Sequence, residues 1–252
     1  MHITGHTFVV TGGASGLGAG VATALAQAGA NVLIADLQDE LGTTLANELK
    51  QRYMHCDVSD PAAAQQVIDA AVEQGNFYGL INCAGIAPAS RTIGREAAHE
   101  LSLFQQVLNV NLIGTFNMNR LAAFAMAKNA PLNTLERGVL INTASIAAYE
   151  GQIGQTAYAA SKAGIVGMTL PMARDLAGVG IRCVTIAPGI FATPMMSGFP
   201  QEVQDSLAAM IPFPSRLGQP ADFAKLAISI IENEMINGET IRLDGAIRMQ
   251  PR

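Results

Sequence analysis

Apolar residues in this chain gather in short unbroken runs rather than alternating with polar ones. TFVVT (7–11), NVLIAD (31–36), YMHC (53–56), GLINC (79–83), GVLINTA (138–144), IRCVTIA (181–187) and ETIRL (239–243) are rich in β-branched residues and too short for helices. Continuous apolarity over so few residues predicts strands covered on both faces, as in a parallel sheet. Between them, apolar positions recur at helical spacing over about 16–28, 39–51, 60–74, 101–129, 156–177 and 220–233. DVSDPAAAQQV carries a helix start, with Ser59 or Asp60 as the cap and Pro61 in the first turn. Strand–helix–strand alternation through right-handed crossovers predicts an α/β fold: one doubly wound Rossmann-type domain over 1–252, its seven-stranded parallel sheet carrying helices on both faces. Two segments, 86–100 and 188–218, fit neither pattern. Both follow the C-terminal ends of strands, where ligands sit in such sheets, and they are the predicted substrate loops.

Composition narrows the function. Half of the 252 residues are hydrophobic and 14% are charged, as in a packed globular protein. A net charge of −5 argues against a general nucleic-acid or anionic-membrane partner. The apolar runs are too short to span a bilayer, and MHITGHTFVV shows neither an Arg-rich leader nor a signal-peptide pattern, so the expected location is cytoplasmic. Cys56, Cys83 and Cys183 are odd in number and set in apolar segments, which predicts free thiols rather than a disulfide framework. Apart from His2 and His6, four apart, no histidines stand at metal-ligand spacing, and no metal site is predicted.

The first strand runs directly into TGGASGLG, with Gly12, Gly16 and Gly18 at a strand-to-helix turn that also holds Ser15 and Leu17. Glycines there let the backbone approach a pyrophosphate, and free N–H groups at the helix start stabilise its charge; a turn that is merely tightly packed is the alternative. Asp36 closes the second strand, twenty residues beyond Gly16, where a carboxylate can bind both hydroxyls of an adenosine ribose. At about 4 Å a 2′-phosphate would meet a repulsion of about 4 kcal/mol per charge pair at an effective dielectric near 20. No Arg or Lys lies between Met1 and Gln38 to offset it, so NAD is the expected cofactor rather than NADP.

With these residues in place, the chain resembles the short-chain dehydrogenase/reductase family from end to end. TGGASGLG matches its T-G-x-x-x-G-x-G. Asp57 and Val58 match the place where the family holds adenine. NCAG (82–85), with Asn82, Ala84 and Gly85, corresponds to its N-N-A-G, Cys83 replacing the second Asn. Asn111 in NVNLIGTFN, Ser145 in INTASIAAYEG, and Tyr158 and Lys162 in YAASK match its catalytic tetrad. Pro188, Gly189, Ile190 and Thr193 in IAPGIFATP match its nicotinamide-side turn. NTASIAAYEGQIGQTAYAASKAGIVGMTLP, PFPSRLG and IRLDGAIRMQP look more narrowly like the type II 3-hydroxyacyl-CoA dehydrogenases, also called type 10 hydroxysteroid dehydrogenases. That likeness implies oxidation of (S)-3-hydroxyacyl-CoA to 3-oxoacyl-CoA with NAD. It also implies a homotetramer whose contacts come from the final strand and the last long helices.

The chemistry has a physical route. A phenol near its ordinary pKa is about 0.1% ionised at pH 7, and bringing it near 7 requires about 4 kcal/mol of phenolate stabilisation. One ammonium at about 4–5 Å supplies that in an intermediate dielectric. Tyr158 is therefore the expected acid/base, Lys162 its electrostatic partner and a holder of the nicotinamide ribose. Ser145 is the expected donor to the substrate oxygen, with a cap or turn role as the alternative. Asn111 is expected to bind a water that extends the proton path, or else to brace a helix kink. Gln152 either orients substrate or forms a turn. In 189–216, Phe, Met and Ile residues would line an adaptable apolar cleft or a lid over the cofactor. Arg91 and Arg95 are candidates for CoA phosphates, with a solvated charged loop as the other reading. A steroid or other secondary-alcohol dehydrogenase is the nearest alternative, and a non-catalytic NAD-binding scaffold or sensor the alternative from another class.

Overall fold

A computed structural model of the protein describes residues 1–198 and 200–251. Its centre is a parallel sheet of β1 (Thr7–Thr11), β2 (Asn31–Asp36), β3 (Arg52–His55), β4 (Phe77–Asn82), β5 (Gly138–Thr143), β6 (Ile181–Pro188) and β7 (Thr240–Leu243), ordered β3-β2-β1-β4-β5-β6-β7. Successive side chains of a strand point to opposite faces, so an unbroken apolar run feeds two cores at once. Phe8 and Val10 of β1 join one cluster, with Val32, Ile34, Ile141 and Ile186, while Val9 joins the other, with Leu33, Leu80 and Leu140. The first face is covered by α1 (Gly16–Gln27) and α9 (Pro220–Glu232), through Val21, Leu25, Phe223, Ile230 and Ile231. The second is covered by α3 (Pro61–Glu73) and α5 (Gly114–Met126), through Val67, Ile68, Met118 and Met126, and by Ala173 of α6 (Thr156–Ala177). Asp60 caps α3 through Ala62 N at 2.8 Å, with Pro61 following, so the cap is Asp60 rather than Ser59. No helix among the described residues is long and apolar enough to cross a membrane.

The predicted helix over 101–129 is three pieces: α4 (Leu101–Leu108), a π-helical turn (Asn109–Ile113) and α5. The wide turn has a local cause. Asn111 Oδ1 accepts from Ile86 N at 2.8 Å and Nδ2 donates to Ile86 O at 2.9 Å, drawing that turn toward the segment after β4. Single wide turns of this kind recur at functional sites. Segment 86–100 is irregular apart from an Ile93–Ala98 bridge. Segment 188–218 holds two helices, α7 (Pro194–Ser197) and α8 (Gln201–Ala209); Phe199 in it lies outside the described residues. The order of the sheet reverses between β1 and β4, and the turns after β1, β4, β5 and β6 meet at one edge there.

Candidate active site

The turn after β1 is built for close approach. Gly12 has φ +59°, and a Cβ on it would fall 2.6 Å from Ala84 N. A Cβ on Gly18 would fall 2.1 Å from Gly12 O. The glycines thus let the turn press against both the NCAG segment and its own helix. Ser15 leads into α1 without a side-chain cap, and the first turn carries no acid. The N–H groups opening this 12-residue helix are therefore left for a ligand, and an anion is favoured there. Asp36 is buried at the neighbouring strand end, held by Ala14 N to Oδ2 at 2.9 Å and Gln38 N to Oδ1 at 3.1 Å. A glycine cradle, an open helix start and a fixed carboxylate fit a dinucleotide. On the nicotinamide side, a Cβ on Gly16 would touch Thr193 and Pro194 at 3.4 Å, and these residues help line a cleft of about 340 Å³.

Ser145, Tyr158 and Lys162 come together beyond β5. Ser145 leaves that strand in extended conformation and caps a short 3₁₀ turn (Ile146–Ala148), Oγ accepting from Ala147 N at 3.1 Å. The same hydroxyl lies near enough to the Tyr158 phenol to lower its pKa. The cap role of Ser145 is thus present, and its hydroxyl stands beside the phenol. Tyr158 and Lys162 lie one turn apart on α6, with Nζ 5.7 Å from the Tyr158 ring centroid. Lys162 is buried and donates to Thr143 O at 2.7 Å. Burial lowers its ammonium to about 8, so it stays mostly charged at pH 7. Desolvation raises the Tyr158 phenol, with the Ser145 bond acting against it. That is opposite to the depression expected from the lysine charge: burial is the larger cause and Ser145 the opposing one. Cys83 takes the place of the family's Asn, its thiol accepting from Thr143 Oγ1 at 3.6 Å and pushed by burial up to about 11, which leaves it an inert filler.

Several other predicted residues have different work. Asn111 Nδ2 also donates to Ser161 Oγ at 3.0 Å, and its carbonyl accepts from Thr115 Oγ1 at 2.6 Å. Its side chain braces the kink, leaving only oxygen lone pairs for a water. Asn82 is buried at the end of β4. Its Nδ2 donates to Asn119 Oδ1 at 2.8 Å and Asn142 Oδ1 at 3.0 Å, inside a buried amide network. That amide joins β4, β5 and α5, while Ala84 lies against the Gly12 turn and a Cβ on Gly85 would fall 3.6 Å from Lys162 Nζ. Asp57 accepts from Ser59 N at 2.9 Å and Ser59 Oγ at 2.7 Å, shaping its own turn, while buried Val58 packs on Gly114. Gln152 forms the turn with Gln155, and its Nε2 donates to Gln250 O at 3.0 Å, which ties it to the C-terminal segment. Ile190 is buried and Pro188 ends β6. Arg91 and Arg95 are exposed and form no ion pair among the described residues. Thr143 and Ser161, which anchor Lys162 and Asn111, escaped the sequence reading, because a backbone carbonyl and a helix-interior serine carry no pattern.

The family model described as enoyl-(acyl carrier protein) reductase matches residues 3–247. The 3-hydroxyacyl-CoA dehydrogenase type-2 of Bos taurus is 52% identical over 99% of this chain and 97% of its own length. The protein of the same name from Homo sapiens is 51% identical, again over 99% and 97%. Among solved structures, 3-hydroxyacyl-CoA dehydrogenase type-2 from Mycobacterium avium superposes with a TM-score of 0.95 at 41% identity, covering 100% of both chains. Identity at this level, over nearly the full length of both chains, makes the chain an enzyme of the short-chain dehydrogenase/reductase family, oxidoreductases that work with a nicotinamide cofactor.

Proposed function

We propose that this enzyme interconverts (S)-3-hydroxyacyl-CoA and 3-oxoacyl-CoA with NAD, working as a single domain within a homotetramer. The observation that carries the chemistry is the Ser145–Tyr158–Lys162 cluster, set beside an apolar cluster of Ile146, Ile190, Ile211 and Ile247. The acyl-CoA assignment is supported by the names of the relatives that are 51–52% identical. It is supported also by Arg91 and Arg95, exposed cations on the loop after β4. NAD is supported by Asp36, whose buried carboxylate opposes a 2′-phosphate. The tetramer is supported by the open edge at β7 and by half-exposed Leu170 on α6.

In reduction, the Ser145 and Tyr158 hydroxyls hold the ketone oxygen and Tyr158 gives it a proton. A raised phenol pKa keeps that proton in place at pH 7. In oxidation Tyr158 must first become phenolate, and the Lys162 ammonium favours that form. The nicotinamide supplies the hydride acceptor or donor at the carbon. Lys162, anchored on Thr143 O, holds the ribose with its remaining donors. The test is NADH oxidation against acetoacetyl-CoA, free acetoacetate and a steroid ketone side by side. Turnover should be confined largely to the thioester; activity only with a non-CoA ketone overturns the substrate assignment, and none with any ketone despite NADH binding favours a scaffold or sensor.

A further inference from the structure

After β7 the chain turns back over the site, and a set of contacts pins it there that the hydride chemistry itself does not require. Arg242 is the hub. Its Nε donates to Asp244 Oδ2 at 2.7 Å, one terminal nitrogen to Glu150 Oε1 at 2.8 Å, and the other to Ile247 O at 3.2 Å. The guanidinium also lies 5.4 Å from the Tyr149 ring centroid. Glu150 completes the clamp, Oε2 accepting from Met249 N at 2.9 Å. Two more bonds follow the same path: Gln152 Nε2 to Gln250 O at 3.0 Å and Ile153 N to Pro251 O at 3.1 Å. The contacts of Tyr149, Glu150, Gln152 and Ile153 tie the stretch between Ser145 and Tyr158 to residues 242–251, and the bonds of Arg242 to Asp244 and Ile247 brace that segment internally. With side chains 20% and 24% exposed, Glu150 and Arg242 are not an ordinary solvent-screened surface pair.

The same tail meets the loop after β6 from the other side. Phe213 N donates to Gly245 O at 3.2 Å, and a Cβ on Gly189 would fall 2.8 Å from Asp244 Cβ. Ile247, buried, and Met249 then pack with Ile146, Ile190, Ile211 and Met196. Ile146 directly follows Ser145, and Ile190 follows the Pro188–Gly189 turn. A carbonyl held by Ser145 and Tyr158 therefore presents its chain to this cluster.

We infer that Glu150 is a positioning residue and that the segment 244–251 is a chain-length specificity element: the Glu150–Arg242 clamp holds Met249, backed by buried Ile247, as the wall on which the acyl chain lies. The specificity half of this rests on the acyl-substrate reading, while the clamp stands independently of it. Glu150→Gln keeps the side-chain volume and removes the charge; Met249→Ala cuts the wall and leaves the clamp intact. For each, kcat/KM is measured with acetoacetyl-CoA and with 3-oxodecanoyl-CoA, NADH affinity by fluorescence quenching, and hydrogen exchange over peptides covering 146–158 and 244–251. In both variants the preference for the long chain should fall about fivefold, as expected for a few lost methylene contacts, with NADH affinity within about twofold. Only Glu150→Gln should raise exchange in both peptides. Unchanged exchange in Glu150→Gln overturns the clamp, and parallel losses with the two chain lengths overturn the specificity role. If the wild type turns over no acyl-CoA, the substrate reading and the specificity role fall together, and the exchange result still decides the clamp.

Discussion

Lys162 offers a measurement in which burial can be separated from catalysis. The residue is 5% exposed, and burial lowers its ammonium from the ordinary lysine value to about 8, with Cys83 acting in the other direction. Below pH 8 the lysine is protonated in both folded and unfolded chains, and the folded state carries the full cost of a buried charge. Between pH 8 and about 10.4 the unfolded chain keeps a proton that the folded one has released, so stability rises with pH across that window. Above it both forms are neutral and the cost is gone. A shift of more than two units corresponds to about 3 kcal/mol. Lys162→Met keeps the stem and abolishes the titration, while losing the bond to Thr143 O, a pH-independent loss of about 1 kcal/mol. In the ligand-free protein the variant should thus be more stable than wild type by about 2 kcal/mol at pH 7 and less stable by about 1 kcal/mol near pH 10.5. The raised thiols of Cys56, Cys83 and Cys183 lower the stability of both proteins at alkaline pH and largely cancel in the difference. Urea midpoints followed by circular dichroism at pH 7, 8, 9 and 10 provide the check. A difference that stays flat with pH would refute the reasoning.

Tyr158→Phe should lower kcat by at least about a thousandfold with NADH binding retained, and near-native turnover in stopped assays would disprove the acid/base role. Ser145→Ala should cost about a hundredfold in kcat, since it removes both a donor to the ketone oxygen and a bond that lowers the Tyr158 phenol; a change confined to KM would argue for a cap alone. Asp36→Ala should narrow the preference for NADH over NADPH by about a hundredfold, measured as the ratio of kcat/KM values, and an unmoved ratio would remove Asp36 from cofactor choice. Asn82→Ala should destabilise the fold by about 1–3 kcal/mol in urea, because it strands the Asn119 carbonyl oxygen, while Asn142 Oδ1 keeps its bond from Asn119 Nδ2; a loss of NADH affinity without a loss of stability would give Asn82 a direct part in cofactor binding.

Much of the fold was legible because its elements are determined by neighbours in sequence. The first two strands have the predicted limits, since an apolar run buried on both faces ends where polar residues or glycines begin. β3, at the edge of the sheet and only partly buried, is shifted by one residue, and β4 starts two residues early at Phe77. What could not be read depends on contacts between distant segments. The wide turn at Asn109–Ile113 follows from Asn111 gripping Ile86, and Glu150 matters through partners more than ninety residues away. The sign of the Tyr158 shift was missed for a related reason. A sequence supplies the neighbouring charge, while desolvation is a property of everything packed around the phenol.

Asp36 marks where the two kinds of information meet. Its residue type and its distance from Gly16 make it the expected ribose-binding carboxylate. The structure adds that Ala14 N and Gln38 N each hold one carboxylate oxygen, and that the Tyr53 hydroxyl donates to the Asp36 carbonyl at 2.8 Å. The carboxylate is thereby fixed before any ribose arrives, and it cannot swing aside to admit a 2′-phosphate. In the proposed NAD enzyme, discrimination would rest on a stationary negative charge at the strand end. A longer acid at the same place would lose both backbone bonds and gain rotamers that turn outward. Asp36→Glu should therefore relax the NADH preference even though the charge is kept, and an undiminished preference in that variant would show that charge alone, and not its fixation, selects the cofactor.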